Sequence, residues 1–446
     1  MDFKKACLVV PMSAALLLPT SLDVVNADDH NMPTVETEAV ELRAELDKLL
    51  SEHAFLAAET MRKGAEGAPD FEASANALSA NTDDLSAAIG SVYGEEAGMQ
   101  FKAMWSEHIG YFVDYVNGTA EEDEEAKEMA KEELDDYRAD FSAFLESATD
   151  ERLNADELAE GLQMHVNQLI GAFDNYVEGD YEEAYSKERE AIHHMYGVSK
   201  GLTGAIVDQF PDQFNDTTAD TPAADLRSNL NHLLSEHAGL ATMAMQNGVE
   251  GTEDYEASVE ALSNNTEDLS NAIASVYGEE AGMEFKEMWE GHIGDFVTYV
   301  EGTAEGEEAK QEEAVEALDA YRADFSSFLE TASEGRLDAD VLSESLGEHV
   351  DLLIHTFDQY TAEDYEMAYE TLRESYGHMF MASKALSAEF VDQFPDQFAA
   401  SEMPEEMPQT GMGGTANGNI DLWIFASIIA LIGASGLLVF KKKSNQ

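Results

Sequence analysis

A single cysteine, Cys7, occurs in 446 residues, and it lies in the N-terminal stretch "MDFKKACLVVPMSAALLLPTSLDVVNADDH". Disulfides and thiolate metal sites are therefore excluded from the body of the protein. Basic residues are scarce too: 24 Lys and Arg stand against 92 Asp and Glu, a formal net charge of −68. Such a surface repels phosphate backbones and anionic lipid, which excludes nucleic acid as a partner. It also repels itself at low salt and reads as adaptation to a saline or alkaline exterior. Period-two alternation is almost missing, so β-structure has little support. There is no P-loop, no Rossmann glycine pattern, no HExxH and no GxSxG, and no nucleophile has partners at a suitable spacing. Yet 44% of the residues are hydrophobic, enough to build real cores and to exclude a disordered chain.

Long apolar runs are confined to the two ends. Near the start, Lys4 and Lys5 precede an apolar stretch interrupted by Pro11 and Pro19, and "VNA" closes at Ala27. This predicts a secretory signal peptide over 1–27. At the other end, residues 422–440 form an apolar stretch long enough to span a bilayer, followed at once by Lys441, Lys442 and Lys443. Ahead of it stand Met407, Pro408, Gln409, Thr410 and Gly411. Pentapeptide, spacer, span and basic tail over 407–446 resemble the LPxTG-type sorting signal of Gram-positive surface proteins, with Met407 in place of the usual Leu. The resemblance implies cleavage by a sortase between Thr410 and Gly411 and covalent attachment of Thr410 to peptidoglycan. The expected location is then the outer face of the cell wall, with membrane contact only through the span before sorting.

Between the ends the chain repeats itself at an offset of 184 residues. "LLSEHAFLAAETM" (49–61) returns as "LLSEHAGLATMAM" (233–245), and "SVYGEEAGM" (91–99) returns unchanged at 275–283. A period this long means duplicated domains rather than a solenoid. The expected units are 36–214 and 226–398, with linkers at 215–225 and 399–406. Within each, apolar residues recur at spacings of three and four, as in Phe101, Met104, Trp105, His108, Phe112 and Tyr115. Punctuation divides the first unit into six helices, at 37–63, 70–93, 95–116, 123–148, 155–178 and 180–208. Short connections make neighbours antiparallel. The expected fold class is all-α: two tandem up-and-down helical bundles of about six helices each, plus signal peptide and C-terminal anchor helix.

Four histidines recur at matching positions, each pair on a different expected helix: His53/His237, His108/His292, His165/His349 and His194/His378. The first three fall on or beside the apolar stripe. The fourth follows Glu190 (Glu374 in the second copy) by one turn, which projects two ligands from one helix face. Met104 and Met288 lie one turn before His108 and His292. Four antiparallel helices aiming imidazoles inward is how bundle proteins build metal and haem sites. Imidazole with thioether and no thiolate suits copper, imidazole with carboxylate suits zinc or iron, and bis-His or His/Met haem ligation is also open. Histidines packed in the core are the alternative. His193, His232 and His355 lack counterparts and read as peripheral. Tyr137-Arg138-Ala139-Asp140 suggests a structural Arg–Asp pair. "DNYVEGDYEEAY" (174–185) puts tyrosines where a calcium loop needs oxygen ligands, so calcium is excluded there.

Three stretches, "SVYGEE", "HIGYFVDYV" and "YRADFSAFLE", together resemble all-helical repeats of secreted and wall-anchored Gram-positive proteins that carry a copper amine oxidase label. The resemblance covers both units and implies copper. The Asn-Tyr-Asp/Glu motif from which amine oxidases make their quinone is absent, because Asn175-Tyr176 is followed by Val177. The leading expectation is a wall-anchored protein that binds a transition metal, copper first, through inward His and Met residues. A non-catalytic structural or adhesive module and a metal-dependent oxidoreductase are the competing expectations.

Overall fold

Thr37 accepts a hydrogen bond from the Val40 amide and starts a helix that runs from Glu38 to Glu66, α1, where Gly67 in the left-handed conformation ends it. The same punctuation yields α2 (Phe71–Tyr93), α3 (Glu95–Ala120), α4 (Glu124–Ala148), α5 (Ala155–Glu178) and α6 (Tyr181–Gln209). The second copy supplies α7 (Pro222–Glu250), α8 (Tyr255–Tyr277), α9 (Glu279–Glu305), α10 (Glu308–Ala332), α11 (Ala339–Thr361) and α12 (Tyr365–Gln393). A single helical turn follows each sixth helix, at Pro211–Phe214 and Pro395–Phe398. This computed structural model describes residues 32–399, and strands are absent among them. The expected signal peptide (1–27) and sorting signal (407–446) lie outside the described residues. Among those described, no helix is long and apolar enough to cross a membrane.

Each copy is an up-and-down array in which α2 to α6, or α8 to α12, follow one another as packed neighbours around the first helix of the copy. The α2–α3 reversal shows why "SVYGEEAGM" is written twice. Gly94 sits at φ 93° and Gly278 at φ 95°, a backbone region that side chains avoid. One turn later Gly98 lets α3 press on α2: a Cβ there would lie 2.7 Å from the Ser86 carbonyl oxygen and 3.1 Å from the Gly90 Cα. The Ser86 hydroxyl donates to the Gly98 carbonyl at 2.8 Å, and Ser270 does the same to Gly282.

Two helix bounds differ by about four residues from the sequence reading. α3 continues through "NGTA" to Ala120 because Gly118 is interior and close-packed, with Lys127 3.1 Å from where its Cβ would be. α7 begins at Pro222, inside the stretch read as linker, because Thr221 caps it and proline at the first helical position needs no donor. Arg138 reaches Asp135 at 3.5 Å and the Ala159 carbonyl rather than pairing with Asp140. One turn along the helix carries Asp135 to the same face as Arg138, whereas two residues do not.

The copies pack face to face, α1 against α7, α2 against α12 and α6 against α8. Polar contacts across this face come in matched pairs. Arg43 reaches Asp225 at 2.6 Å and Arg227 reaches Glu41 at 2.9 Å. Arg189 bridges Glu236 and Asp268, and Arg373 bridges Glu52 and Asp84. Tyr185 donates to Asp254 at 2.7 Å, as Tyr369 does to Asp70 at 3.0 Å. The pairing breaks at one point. Asp70 is neutralised within its own copy by Lys63 at 3.0 Å, but the counterpart of Lys63 is Asn247, which carries no charge. Arg62 crosses from the first copy instead, 3.1 Å from Asp254, while holding Glu59 at 2.6 Å.

Among the described residues Arg62 is therefore the one cation paired with buried Asp254 and the nearer of two at buried Glu59, where Lys63 stands 3.9 Å away, and removing one partner of a buried pair costs about 3–5 kcal/mol. Arg62→Met should lose that much stability in urea unfolding. Combining it with Glu59→Gln and Asp254→Asn should recover most of the loss. A loss below ~1 kcal/mol for Arg62→Met would overturn this account.

Candidate metal centre

α1, α3 and α5 each bring one histidine to a common point. His53 is centred on the most deeply buried helix of the copy, and its neighbours Ser51, Glu52 and Ala54 are buried too. His108 and His165 lie on the inward stripes of α3 and α5, with Trp105 and Phe112 flanking one and Val166 and Leu169 the other. The ring nitrogens of His53, His108 and His165 include one from each residue lying within 4.8 Å of the others, and all three residues are buried. His237, His292 and His349, on α7, α9 and α11, repeat the arrangement.

The geometry suits one small ion. His53 Nε2 and His108 Nε2 are 3.4 Å apart, and two imidazoles on a tetrahedral ion with bonds of about 2.0–2.1 Å would stand roughly 3.3–3.4 Å apart. Ring centroids of His53 lie 5.3 Å from His108 and 6.0 Å from His165; in the second copy the values are 5.4 and 5.8 Å. An aromatic collar fixes the rings. Trp105 sits 4.7 Å from His53 and 4.8 Å from His108, and Tyr137 stacks on His108 at 4.8 Å. Trp289 and Tyr321 do the same in the second copy, at 4.7, 4.7 and 4.6 Å.

Hydrogen bonding leaves these rings incomplete. His53 Nδ1, His108 Nδ1 and both nitrogens of His165 are buried without a partner, as are both of His237, Nδ1 of His292 and both of His349. A buried polar group left so costs about 1–3 kcal/mol. Burial, and secondarily the adjacent imidazoles, hold His53, His165, His237 and His349 neutral far below the ordinary histidine range. His108 and His292 are pushed down to about 3 by burial, with His165 and His349 adding to the effect. Three neutral imidazoles with lone pairs free at any physiological pH are what a metal ion requires.

The remaining sequence candidates fall outside the triads. His194 Nε2 lies 3.1 Å from the Gly161 carbonyl and His378 Nε2 3.0 Å from that of Ser345. Each stands on the α5–α6 or α11–α12 seam, beside the third histidine but not in the cluster. Glu190 pairs with Lys187 at 2.9 Å on the solvent side, and Glu374 is exposed. The reason lies in the buried stripe of α6, which runs through Ala184, Glu188, Ala191, Ile192 and Met195 and turns position 190 outward. Met104 and Met288 are half-buried and packed into apolar clusters. His193 and His355 are exposed, and His232 stacks on His193 at 4.7 Å. Trp105 and Tyr137, which wall the site, were legible only as core residues. Their indole nitrogen and hydroxyl, also buried without partners, give the signal that sequence could not. No family model, curated protein or solved structure matches the chain.

Six neutral buried histidines make stability depend on pH. The unfolded chain takes up protons below about 6.5 that the folded one refuses, so stability falls as pH drops, by up to ~1.4 kcal/mol per pH unit per histidine. Carboxyls that burial pushes up, Glu188 to about 8 and Asp47, Asp295, Asp358 and Glu389 in the same direction, act in the opposite sense and offset part of this loss. Metal-free protein should lose a stability of ~5–15 kcal/mol within about two pH units below 6.5. Chemical denaturation at pH 7.5, 6 and 5 checks this, and a curve flat across that range would refute it.

Proposed function

We propose that the protein is an extracellular metal-binding protein that holds one transition-metal ion in each copy, on His53, His108 and His165 and on His237, His292 and His349. The observation that carries this reading is the convergence, twice, of three buried neutral imidazoles, the third of which (His165 and His349) has no hydrogen-bond partner at either nitrogen. Histidines serving only as packing would be hydrogen-bonded to carbonyls, as His194 and His378 are. This contrast disfavours the purely structural or adhesive alternative.

Copper is the favoured ion, in its monovalent state. Each triad grouping contains histidines alone, so the ion's charge is not offset by a carboxylate within it. Desolvation cost rises with the square of the charge, which favours a singly charged ion over a doubly charged one. Nitrogen ligands suit copper and zinc alike, and in zinc sites of this kind a bound hydroxide would lower the net charge. Haem fits poorly, because Tyr137 stacks on His108 and Trp105 packs tilted against His53 and edge-on to His108, leaving no slot for a macrocycle. The terminal motifs, outside the described residues, support the setting: export, then attachment of Thr410 to peptidoglycan by a sortase. An acidic surface of net charge −68 would raise the local concentration of cations around such a display.

Full-length protein should carry close to two copper ions per chain after anaerobic loading with copper and ascorbate and desalting, measured by elemental analysis. His108→Ala should reduce this to one, and His108→Ala with His292→Ala to none, while the helical circular dichroism persists. Copper content unchanged in the double variant would refute the reading. Zinc retained in preference to copper would overturn the choice of ion and leave the site.

A further inference from the structure

The two triads share ligands but not surroundings. Next to His53 and His108 the first copy has a cavity of about 260 Å³ between α1, α2 and α3; the matching space beside His237 and His292 is about 40 Å³. The larger cavity follows α1 from His53 past Ala57 and Thr60 to Gly64, roughly 16 Å at 1.5 Å per residue, and reaches the cap residue Gly67. At its outer end Gly67, Val113, Asn117 and Ala120 are exposed, whereas His53 and His108 at the inner end are buried.

Residue exchanges between the copies account for the difference. Val259 lines the small cavity, and its counterpart Ala75 is too short to reach the large one. The mouth residues Ala68 and Asn117 become Thr252 and Glu301. Thr60 becomes Ala244, and this exchange concerns chemistry more than space: the Thr60 hydroxyl is buried on the cavity wall without a partner. The first cavity thus carries the unpartnered Thr60 hydroxyl and, at its inner end, His53 and His108, whose Nδ1 atoms lack partners; apart from Asn117 at the mouth, the rest of the wall is aliphatic groups, Phe71 and Phe112.

We infer that the first copy alone admits a small organic ligand to its metal site, and that the second holds its ion closed off. This deepens the metal-binding reading and rests on it for what the ligand meets at the inner end. The occupant is neutral, because the wall holds no charged side chain, and largely apolar. An apolar cavity of about 150 Å³ admits benzene, so this one suits a molecule of roughly ten heavy atoms. One nitrogen or oxygen of that molecule faces the Thr60 hydroxyl or the ion. The duplicated fold then has two roles: an exchangeable site in the first copy and a sealed one in the second.

Fluorescence titration of the metal-free full chain with 1-aminonaphthalene tests the cavity without any metal. The expected stoichiometry is one per chain. Thr60→Ala with Ala75→Val, which installs the second copy's residues, should weaken binding at least tenfold, and it serves as the blank for probe taken up elsewhere. Ala244→Thr with Val259→Ala should raise the stoichiometry toward two. Cobalt-loaded protein titrated with 4-phenylimidazole tests the contact with the ion: half of the visible absorption should shift. No binding, two equivalent sites, or indifference to the Thr60/Ala75 exchange would overturn the inference. A chain that binds the naphthylamine but retains neither cobalt nor monovalent copper would refute the metal reading with the cavity intact. Two retained cobalt ions without naphthylamine binding would do the reverse.

Discussion

α1 over residues 49–63 and α7 over residues 234–247 are buried on every side, and most of the structure follows from that. Each packs against helices of its own copy and against the other at the interface, so polar groups on them lack solvent to turn to. Arg43, Asp47, Glu52, Glu59, Arg62 and Lys63 are all buried on α1, and each finds a partner. His53 on the same helix meets only another imidazole. A helix that pairs its charged groups but leaves an imidazole and the Thr60 hydroxyl wanting marks the place where something outside the chain belongs. The same contrast recurs on α7 at His237.

Joining the copies through buried charges has a consequence for their individuality. Asp254 of the second copy depends on Arg62 of the first, and Arg373 of the second holds Glu52, the residue beside His53. Each triad therefore rests on a helix clamped by the other copy. Breaking the interface would disturb both sites together. Duplication has not kept the copies identical: Lys63 became Asn247, Thr60 became Ala244 and Ala75 became Val259. The first exchange is compensated at the interface, and the others reshape the space beside the triad.

Much of the fold was legible because its signals are local. Helical periodicity, capping residues and glycine turns each act within a few residues, so six helices per copy could be drawn with ends within a few positions of those observed. Misplaced bounds came from tertiary detail: Gly118 is a breaker in isolation but a close-packing residue against Lys127. For the site, the repeated histidines on inward stripes were visible, and three of the four in each copy do meet. Glu190 and His194 looked like a ligand pair because i and i+4 share a face, but the pattern cannot say which part of that face is turned inward.

Sequence alone determined the duplication, the all-helical class, the exclusion of thiolate chemistry and the short list of histidines. These depend on composition, period and repetition, which are properties of the chain in one dimension. Only the tertiary structure decided that His53, His108 and His165 converge while His194 turns to a backbone carbonyl. It alone showed that two nearly identical triads open onto cavities of about 260 and 40 Å³. Convergence and cavity shape depend on how helices far apart in the chain are rotated and pressed together. A single methyl-scale change, Ala75 against Val259, registers there and nowhere in the periodic pattern.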